Sequence, residues 1–446
     1  MTTLIRNCTV INEGVSFKGG VLIDNEYISE VFCEPCKYPE ADSVIDGNGL
    51  LLLPGIIDDQ VHFREPGNTH KGDIESESKA AILGGVTSFM EMPNTNPPAV
   101  TLEELEKKYE IAARTSYANF SFYLGGSNDN YEEIEKANPQ DICGIKLFMG
   151  SSTGNMLVDN QLSLERIFAG TKMLIATHCE EESVIRSNLK DASEKYGDNI
   201  PFSMHPVIRS REACIESTKK AVDLALRNNS SLHILHISTK EEIEIIKEAQ
   251  KINPKITGEV CVHYMLLDST SYGHYGSRMK CNPAIKDEED RVAIISAVKS
   301  GIIKVVATDH APHTFEEKQK NYSAAPSGLP LIQHSFQIMW KLHLDGHFSI
   351  YDIADRMSHS PAERFRVYKR GYIRKGYFAD LFLADPSVNE VVTKESLAYK
   401  CKWSPFEGEV LPSKILYTFV NGVQVVKNGK VTGVRAGSRL KFIYEE

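Results

Sequence analysis

Several residues that could bind a metal stand at the ends of apolar segments that are far apart in the chain. They are His62, His178, His236 and Asp309. Imidazole nitrogens and carboxylate oxygens are ligands that divalent transition metals accept, and zinc is the default ion for such a set. The sequence therefore predicts a zinc site, on condition that the fold brings the ends of these segments to one place.

The segment at residues 54–67 carries three polar side chains that a strand would direct to one side. Side chains alternate between the two faces of a strand, so Gln60, His62 and Arg64 would share a face. Polar groups that point one way from the end of a buried strand indicate a site. A solvated strand end is the alternative when this segment is considered alone.

Lys146 lies inside an apolar segment, where an unpaired ammonium group is costly to bury. Three interpretations are open: a nucleophile that forms a Schiff base, a lysine paired with an acid in the core, or a lysine carboxylated by CO₂. The first would make the protein a lyase and leave the histidines unexplained. The last converts the amine into an anionic oxygen ligand that could bridge two metal ions, so its charge would be tolerated.

The other histidines have plainer alternatives, because a single histidine at a strand end is more often a hydrogen-bonded core residue than a ligand. His233 and His236 are three residues apart and would point to different faces of a strand. We therefore expect only one of them to face inward. His263 and His310 are candidates for orienting the metal ligands from behind.

The middle of the chain alternates short apolar segments with stretches of helical spacing. Eight segments fit strands, at residues 56–62, 86–92, 119–124, 143–148, 172–178, 232–237, 256–262 and 303–309. Eight strands with intervening helices predict an α/β fold, a (β/α)₈ TIM barrel with insertions. A doubly wound open sheet is the alternative, since it requires no particular number of strands. In a barrel, the candidate residues would meet at the mouth formed by the carboxyl ends of the strands.

Both ends of the chain are rich in short β segments. Residues 1–53 and 372–446 contain runs separated by turn signals, among them Asn421-Gly422 and Asn428-Gly429. Neither end alone offers a comfortable number of strands. We therefore predict one small β domain built from both termini, and a barrel domain at residues 54–371.

Composition and charge narrow the class of function. With 50 basic and 60 acidic residues the net charge is −10, which opposes binding to nucleic acid or to an anionic membrane. The chain has no long apolar stretch and no signal-peptide pattern, so we expect a cytoplasmic protein. The nine cysteines are scattered and should be reduced. Cys33 and Cys36 form an isolated CxxC pair, which is best interpreted as two thiols in a surface turn.

A set of short motifs, taken in order, resembles the amidohydrolase superfamily, and within it the dihydroorotase class that is similar to allantoinases and dihydropyrimidinases. The motifs are residues 54–67, 92–98, 144–148, 236–239, 280–283, 309–313 and 376–381. Each is weak by itself, whereas the ordered set is specific and spans nearly the whole chain. The resemblance implies a barrel joined to a β-sandwich that both termini form, in agreement with the layout above.

The resemblance also implies a role for each candidate residue. His62 would ligate the more buried of two zinc ions, and a carboxylated Lys146 would bridge them. His178 and His236 would hold the second zinc, and Asp309 would bind zinc and transfer a proton as the catalytic residue. The residues implied in substrate binding are Arg64, Asn94, Asn282, His313, Ser327 and Gly328.

The implied activity is the interconversion of dihydroorotate and N-carbamoyl-L-aspartate in pyrimidine biosynthesis. Arg64 and Asn94 favour this substrate, because arginine can hold a ring carboxylate through two charge-assisted hydrogen bonds. Hydantoin-type substrates need no such partner, and the alternative is an allantoinase or a dihydropyrimidinase. The expected partners are therefore a small anionic substrate and a second copy of the chain, since dimers are common in the resembled family.

One position departs from the family pattern. The first strand of the family carries His-x-His, and Gln60 replaces the first of these histidines. A glutamine carbonyl is a poorer zinc ligand than imidazole. Either the more buried zinc position is weakened, leaving one zinc or an unequal pair, or the chain is a non-catalytic scaffold for a transcarbamoylase. We expect an enzyme, because the rest of the set is present: Lys146, His178, His236, Asp309 and Arg64.

Residues 312–328 follow the last predicted barrel strand and could close over a ligand. The charged triplet Glu316-Glu317-Lys318 favours the plainer alternative of a mobile, solvated stretch.

Overall fold

The structure is a computed structural model that describes residues 1–150 and 156–444. Its strands fall into three groups along the chain. The N-terminal strands are β1 (Thr2–Asn12), β2 (Val15–Asp24), β3 (Tyr27–Cys33), β4 (Ser43–Asp46) and β5 (Leu51–Pro54). The middle strands are β6 (Ile56–Val61), β7 (Val86–Glu91), β8 (Asn119–Phe122), β9 (Leu124–Gly125), β10 (Ile145–Phe148), β11 (Ile175–His178), β12 (Leu232–Ile234), β13 (Ile256–Cys261) and β14 (Val305–Ala307). The C-terminal strands are β15 (Leu381–Val391), β16 (Val410–Val420), β17 (Val423–Lys427) and β18 (Lys430–Val431).

The middle strands form a parallel barrel. Strands β6, β7 and β8 pair in that order, and β9 to β14 pair in sequence order. β8 and β9 share one strand position, interrupted only at Tyr123. The first and last positions meet where the backbone N–H of His62 donates to the carbonyl of His310 at 2.7 Å, beside a parallel bridge between Val61 and His310. The ring is therefore closed, which confirms the predicted (β/α)₈ barrel over the open sheet.

The barrel strands are buried at nearly every residue. Parallel strands have helices on one side and the barrel interior on the other, so they appear in the sequence as continuous apolar runs. Some of these buried strand residues are acidic instead of apolar. Asp59 on β6 and Glu259 on β13 are two of them, and both side chains are fully buried. Polar residues within such strands need partners inside the barrel.

Helices cover the barrel and fill its connections. They are α1 (Ile74–Leu83), α2 (Leu102–Thr115), α3 (Tyr131–Lys136), α4 (Gln161–Gly170), α5 (Glu182–Tyr196), α6 (His205–Ile208), α7 (Arg211–Asn228), α8 (Lys240–Ile252), α9 (Val262–Leu266), α10 (Tyr272–Tyr275), α11 (Glu288–Ser300), α12 (Phe315–Lys318), α13 (Ser335–Leu344), α14 (Ile350–Ala354) and α15 (Ser360–Arg364). Capping boxes fix the starts of α1 and α8, at Asp73 and Thr239. In the described part of the chain, none of these helices combines the length and the apolar character that crossing a bilayer requires.

Strands from both termini form the β-sandwich domain. The strand order is β18-β17-β16-β15-β5-β1-β2-β3, with β4 paired to β1. The two ends of the chain join where β15 runs antiparallel to β5, with Leu381 opposite Pro54. This confirms the predicted domain built from both termini, while the exact boundaries at residues 53 and 371 stay a prediction.

The connection between β15 and β16 reaches back to the barrel mouth. Trp403 in this connection is fully buried, and its indole Nε1 donates to the carbonyl of His313 at 2.7 Å. The backbone N–H of Lys400 donates to Glu77 on α1 at 3.0 Å. The β domain therefore supports a loop that lines the mouth of the barrel.

Candidate functional site

The carboxyl ends of the barrel strands surround a pocket of about 220 Å³. All the candidates named from the sequence line it: Gln60, His62, Arg64, Asn94, Lys146, His178, His236, Asn282, Asp309, His313, Ser327 and Gly328. Phe148, Ala311 and Pro326 complete the lining. The structure thus brings the candidates together, and their individual roles stay predictions.

Three of the lining residues have their backbone in the left-handed region. The φ angle is 74° at Arg64, 39° at His236 and 48° at Asp309. Residues with a Cβ rarely adopt this conformation, which costs about 1–3 kcal/mol per residue and concentrates at functional sites. Each of the three follows the end of a strand, so the turn sets the direction of its side chain at the mouth.

The prediction that only one of His233 and His236 faces inward is wrong. β12 ends at Ile234, so His236 lies past the strand and its left-handed backbone breaks the alternation. The Nε2 atom of His233 lies 3.2 Å from Glu259 on the neighbouring strand and 3.4 Å from Asp59 on β6, across the interior. Both histidines therefore face the interior, at different depths.

His178 and His236 approach each other through their ring nitrogens. Nδ1 of His178 lies 2.9 Å from Nε2 of His236. Nε2 of His178 lies 2.9 Å from a carboxylate oxygen of Glu180, so Nε2 carries the proton and Nδ1 presents its lone pair. At this separation both facing nitrogens could bind one ion through bonds of about 2.0–2.1 Å.

His62 and Asp309 form a second pair. Nδ1 of His62 lies 2.8 Å from Oδ1 of Asn94 and donates to it. Burial lowers the pKa of the His62 ring below its ordinary value, so the ring is neutral near pH 7. The unprotonated Nε2 then faces a carboxylate oxygen of Asp309 at 3.2 Å. A lone pair opposite a carboxylate is unfavourable unless a cation lies between them.

These contacts fit a divalent cation at the mouth. The donor set consists of neutral imidazole nitrogens and a carboxylate, which suits a transition metal. In addition, Nδ1 of His236 is buried without a hydrogen-bond partner among the described residues. Asn94 and Glu180 hold the outer nitrogens of two of the rings, as partners behind metal-binding histidines commonly do.

Lys146 is fully buried beside this donor set. Burial lowers the pKa of its ammonium group to about 7, and its Nζ lies 4.6 Å from the centre of the Phe148 ring. Within the described residues it forms no ion pair, so the interpretation as a paired core lysine is wrong. The uncharged amine that is present near pH 7 is the form that reacts with CO₂ or with a carbonyl group.

Gln60 directs its amide towards Asp309. Its Nε2 donates to Oδ1 of Asp309 at 3.3 Å, and its Oε1 lies 3.8 Å from the Cys261 thiol, which donates to it. Gln60 therefore presents a donor, instead of a lone pair, to the carboxylate. A histidine at this position would have offered a metal ligand.

Glu180 and Arg209 form a buried ion pair behind His178. Burial raises the pKa of Glu180, but Arg209 and His178 outweigh this effect and lower the pKa to about 2. Glu180 is therefore ionised at every pH at which the protein is expected to work. It fixes the orientation of the His178 ring from the side opposite His236.

Arg64 forms the wall of the pocket next to the loop at residues 312–328. Its Nε donates to the carbonyl of Pro312 at 3.0 Å, and Nη2 lies 3.1 Å from Nε2 of His313. Burial lowers the pKa of Arg64 to about 10, so the guanidinium is charged at neutral pH. Lys71 lies behind His313, with its Nζ 3.2 Å from Nδ1 of His313 and 3.3 Å from the carboxylate of Glu317.

Two buried lysines hold the loop at residues 312–328. Nζ of Lys318 donates to the carbonyls of Lys280, Pro326 and Gly328 at 3.0–3.1 Å. Nζ of Lys280 donates to the carbonyls of Tyr322 and Ala325, each at 2.7 Å. The expectation of a solvated stretch is therefore wrong for Lys318, which points inward and anchors the loop.

Gly328 is required by this loop. Its φ of 141° is open to glycine, and a Cβ there would lie 2.5 Å from the carbonyl oxygen of Ala311. The close approach keeps the backbone of residues 327–328 against the pocket. The side chain of Ser327 adds to the lining, and its carbonyl lies 3.0 Å from His313 Nε2.

The prediction that His310 orients the metal ligands through its ring is wrong. Its Nε2 lies 2.8 Å from Glu77, and its Nδ1 accepts from the backbone N–H of Leu331 at 3.0 Å. His263 contacts the Cys281 thiol at 3.6 Å through Nε2. Neither ring contacts a candidate ligand, although the carbonyl of His310 accepts from His62 N–H.

Sequence reasoning missed the supporting residues Glu180, Arg209, Lys280 and Lys318. Glu180 could have been found from its place two residues after His178, and Lys280 from the motif at 280–283. Arg209 and Lys318 had no local signal, because the groups that they contact are distant in the sequence or are backbone carbonyls.

Comparison with known proteins agrees with this geometry. A model described as the amidohydrolase family matches residues 51–425. The chain is 30% identical over 434 residues to a dihydroorotase of Carboxydothermus hydrogenoformans, with 95% of this chain and 97% of that protein covered. It is 32% identical over 426 residues to a dihydroorotase of Bacillus subtilis (strain 168), with 92% and 94% covered.

Solved structures share the fold over the full chain. An L-hydantoinase (dihydropyrimidinase) from Arthrobacter aurescens has a TM-score of 0.94 at 24% identity, covering 98% of this chain and 99% of that one. A dihydropyrimidinase from Brevibacillus agri NCHU1002 has a TM-score of 0.91 at 26% identity, covering 100% of both. The first similarity is too low in identity to bear on more than the fold. From the family match and the curated relatives, the chain belongs to the amidohydrolase family.

Proposed function

We propose that the chain is a zinc-dependent dihydroorotase, which interconverts dihydroorotate and N-carbamoyl-L-aspartate. The observation that carries this proposal is the charged guanidinium of Arg64 on the pocket wall, in the same pocket as His62 and Asp309. A cyclic amide bound over the donor set would place an anionic ring substituent against this group.

Family membership and the two dihydroorotase relatives support a hydrolase that acts on a cyclic amide. The solved structure of a dihydropyrimidinase at 26% identity supports the same reaction class. The choice of substrate within this class therefore depends on this chain's own pocket residues.

The charge of Arg64 favours a substrate with a carboxylate. Within the described residues Arg64 forms no ion pair, and its hydrogen bonds go to the Pro312 carbonyl and the His313 ring. A partly desolvated cation without an anionic partner is costly, and a ligand carboxylate would supply that partner. Dihydroorotate has such a group, whereas dihydrouracil and hydantoin lack it on the ring.

We propose that His178 and His236 hold one zinc ion, with His62, Asp309 and a carboxylated Lys146 completing the centre. When bound, zinc lowers the pKa of a water molecule and polarises the scissile carbonyl. Gln60 presents an amide N–H where the family pattern has a ligand, so we expect one zinc to bind tightly and a second to bind weakly or not at all.

Asp309 is the residue that we propose to move the proton. Burial raises the pKa of its carboxyl group, but the interactions with the nearby rings of His62, His236 and His263 together outweigh burial and lower the pKa, so the group is ionised at neutral pH. The contacts from His62 and Gln60 both go to Oδ1, which leaves Oδ2 to accept the proton of the attacking water. Asp309 then returns this proton to the leaving ring nitrogen.

Asn282 and the loop backbone would hold the rest of the ring. Oδ1 of Asn282 is buried without a hydrogen-bond partner among the described residues, so it is suited to accept from a ring N–H of the substrate. Ser327 and Gly328 would bind the ligand through their backbone. These contacts position the amide relative to Asp309.

The substrate assignment is tested by kcat/KM for dihydroorotate, allantoin and dihydrouracil, in wild type and in Arg64→Gln. We expect wild type to prefer dihydroorotate. Losing the charge-assisted hydrogen bonds should lower kcat/KM for dihydroorotate by about 100-fold, about 3 kcal/mol, with little change for dihydrouracil. Arg186→Gln, at an exposed position on α5, is the matched control and should leave all three values unchanged.

A preference of wild type for dihydrouracil or allantoin, or an equal loss for all three substrates in Arg64→Gln, would contradict the proposal. The absence of turnover with any of them in zinc-loaded protein would favour the scaffold alternative that Gln60 raises. A cytoplasmic location, a homodimeric assembly and the absence of nucleic-acid binding stay predictions.

A further inference from the structure

We infer that the barrel interior holds a second divalent-cation site, formed by Asp59, His233 and Glu259. The three residues come from β6, β12 and β13, and each is fully buried. One ligand atom from each lies within 4.8 Å of the others. None of the three belongs to the lining of the mouth pocket.

The site lies one layer deeper than the mouth. Asp59 lies within β6 and His233 within β12, whereas His62 and His236 follow the ends of these strands. The backbone N–H of His236 donates to Oε1 of Glu259 at 3.3 Å, so the two layers share a contact. The inference does not depend on the reaction that the mouth performs.

The hydrogen bonds of His233 fix which nitrogen faces the carboxylates. Nδ1 lies 2.7 Å from Oγ1 of Thr257, and this hydroxyl donates to the carbonyl of Leu232 at 3.3 Å. The hydroxyl therefore accepts from Nδ1–H, and Nε2 is the atom directed at Asp59 and Glu259. This is the arrangement of a metal-binding histidine whose outer nitrogen is held by a hydrogen bond.

The distances from His233 are compatible with ligands of one ion. Nε2 lies 3.2 Å from Glu259 and 3.4 Å from Asp59. Charge-assisted N–H···O bonds are usually about 2.7–2.9 Å long. Two ligands of a tetrahedral zinc, with bonds of about 2.0–2.1 Å, lie about 3.3 Å apart.

The carboxylate of Asp59 supports a cation site independently of the distances, because it lacks a partner. Both of its oxygens are buried without a hydrogen-bond partner among the described residues. Arg364 is close enough to interact with Asp59 electrostatically, but its hydrogen bonds go to Ser231 Oγ and the carbonyls of Leu232 and Lys255. A divalent cation would give the Asp59 carboxylate the partner that it lacks.

The ligand set specifies the class of ion. One imidazole nitrogen and two carboxylates suit zinc or a similar transition metal, whereas magnesium and calcium favour oxygen ligands alone. A cation at this place would connect the first strand of the barrel to the sixth and seventh. We therefore assign it a structural role, with binding coupled to folding.

The test is zinc content of the full chain, measured by elemental analysis after equilibration with zinc chloride and removal of free ion. We expect Glu259→Gln and Asp59→Asn each to lose one zinc equivalent relative to wild type. The double variant His178→Ala/His236→Ala should retain this zinc, since it alters the mouth. Glu242→Gln, a buried carboxylate in the capping box of α8, is the matched control and should lose none.

Equal zinc content in wild type, Glu259→Gln and Asp59→Asn would overturn the inference. Should both variants fail to fold, anomalous diffraction at the zinc edge from wild-type crystals decides the question. A peak between His233 Nε2 and the two carboxylates supports the site, and a map with no peak there refutes it.

Discussion

At the scale of single residues, three histidines of the barrel are each held by a hydrogen bond to one ring nitrogen. Asn94, Glu180 and Thr257 each bond one ring nitrogen, of His62, His178 and His233 respectively. The other nitrogen of each ring then faces a carboxylate or a second ring. A fixed tautomer presents its lone pair in a set direction, which is what a metal ligand requires.

Glu180, the partner of His178, should make the stability of the protein depend measurably on pH. The pKa of Glu180 in the folded protein is about 2, below the ordinary value of 4.5. A lowered carboxylate pKa stabilises the fold fully above the unfolded value, and this contribution falls as pH drops towards 2. The advantage of wild type over Glu180→Gln should therefore be about 1 kcal/mol smaller at pH 3.5 than at pH 7.

Urea unfolding of metal-free wild type and Glu180→Gln at both pH values measures this difference. Glu194→Gln, at an exposed position that lies 3.8 Å from Lys190, is the control and should show no such change. A wild-type advantage that stays constant or grows on acidification would contradict the assigned ionisation of Glu180.

The resemblance to amidohydrolases predicts a histidine where this chain has Gln60, and the consequence of this difference can be measured. Replacing Gln60 by histidine exchanges an amide donor on Asp309 for an imidazole ligand. We expect Gln60→His to bind more zinc at the mouth than wild type at equal free zinc. Gln140→His, on the surface, is the control. Zinc binding identical to that of wild type would mean that Gln60 has not weakened the centre.

At the scale of elements, the loop at residues 312–328 is held in place by lysines directed into its own backbone. Replacing Lys318 by methionine keeps most of the side-chain volume but leaves three carbonyls without their donor. Each lost hydrogen bond costs about 1 kcal/mol. We expect Lys318→Met to raise KM for dihydroorotate about 10-fold and to speed proteolysis within the loop.

Lys320→Met tests the same loop at an exposed position and should change neither quantity. An unaltered KM and an unaltered cleavage rate in Lys318→Met would show that the loop does not depend on this anchor.

The strands could be predicted from the sequence because parallel barrel strands are continuous apolar runs, and all eight positions were found in this way. The candidate metal ligands could be predicted because each stands in or just after such a run, whereas Asn282, Ser327 and Gly328 came only from the resemblance to amidohydrolases. The depth of His233 could not, because it depends on β12 ending at Ile234 and on a left-handed turn at His236. The anchor Lys318 also gave no signal, since the backbone carbonyls that it contacts cannot be inferred from a sequence.

At the scale of the whole molecule, the chain is acidic although the wall of its pocket carries a positive charge. The net charge is −10, yet the charged guanidinium of Arg64 lines the pocket. The β domain contributes through Trp403, which bonds the carbonyl of His313 beside Arg64. Both domains therefore position the residues that would hold an anion, and long-range charge repulsion is outweighed locally.

The central claim is that this mouth opens dihydroorotate with the help of a bound metal. The most direct measurement is the initial rate of dihydroorotate ring opening by chelator-treated protein, before and after titration with zinc. The account predicts no turnover after chelation and a rate that returns in proportion to the zinc bound at the mouth. A protein that takes up zinc there and still leaves dihydroorotate intact would contradict it.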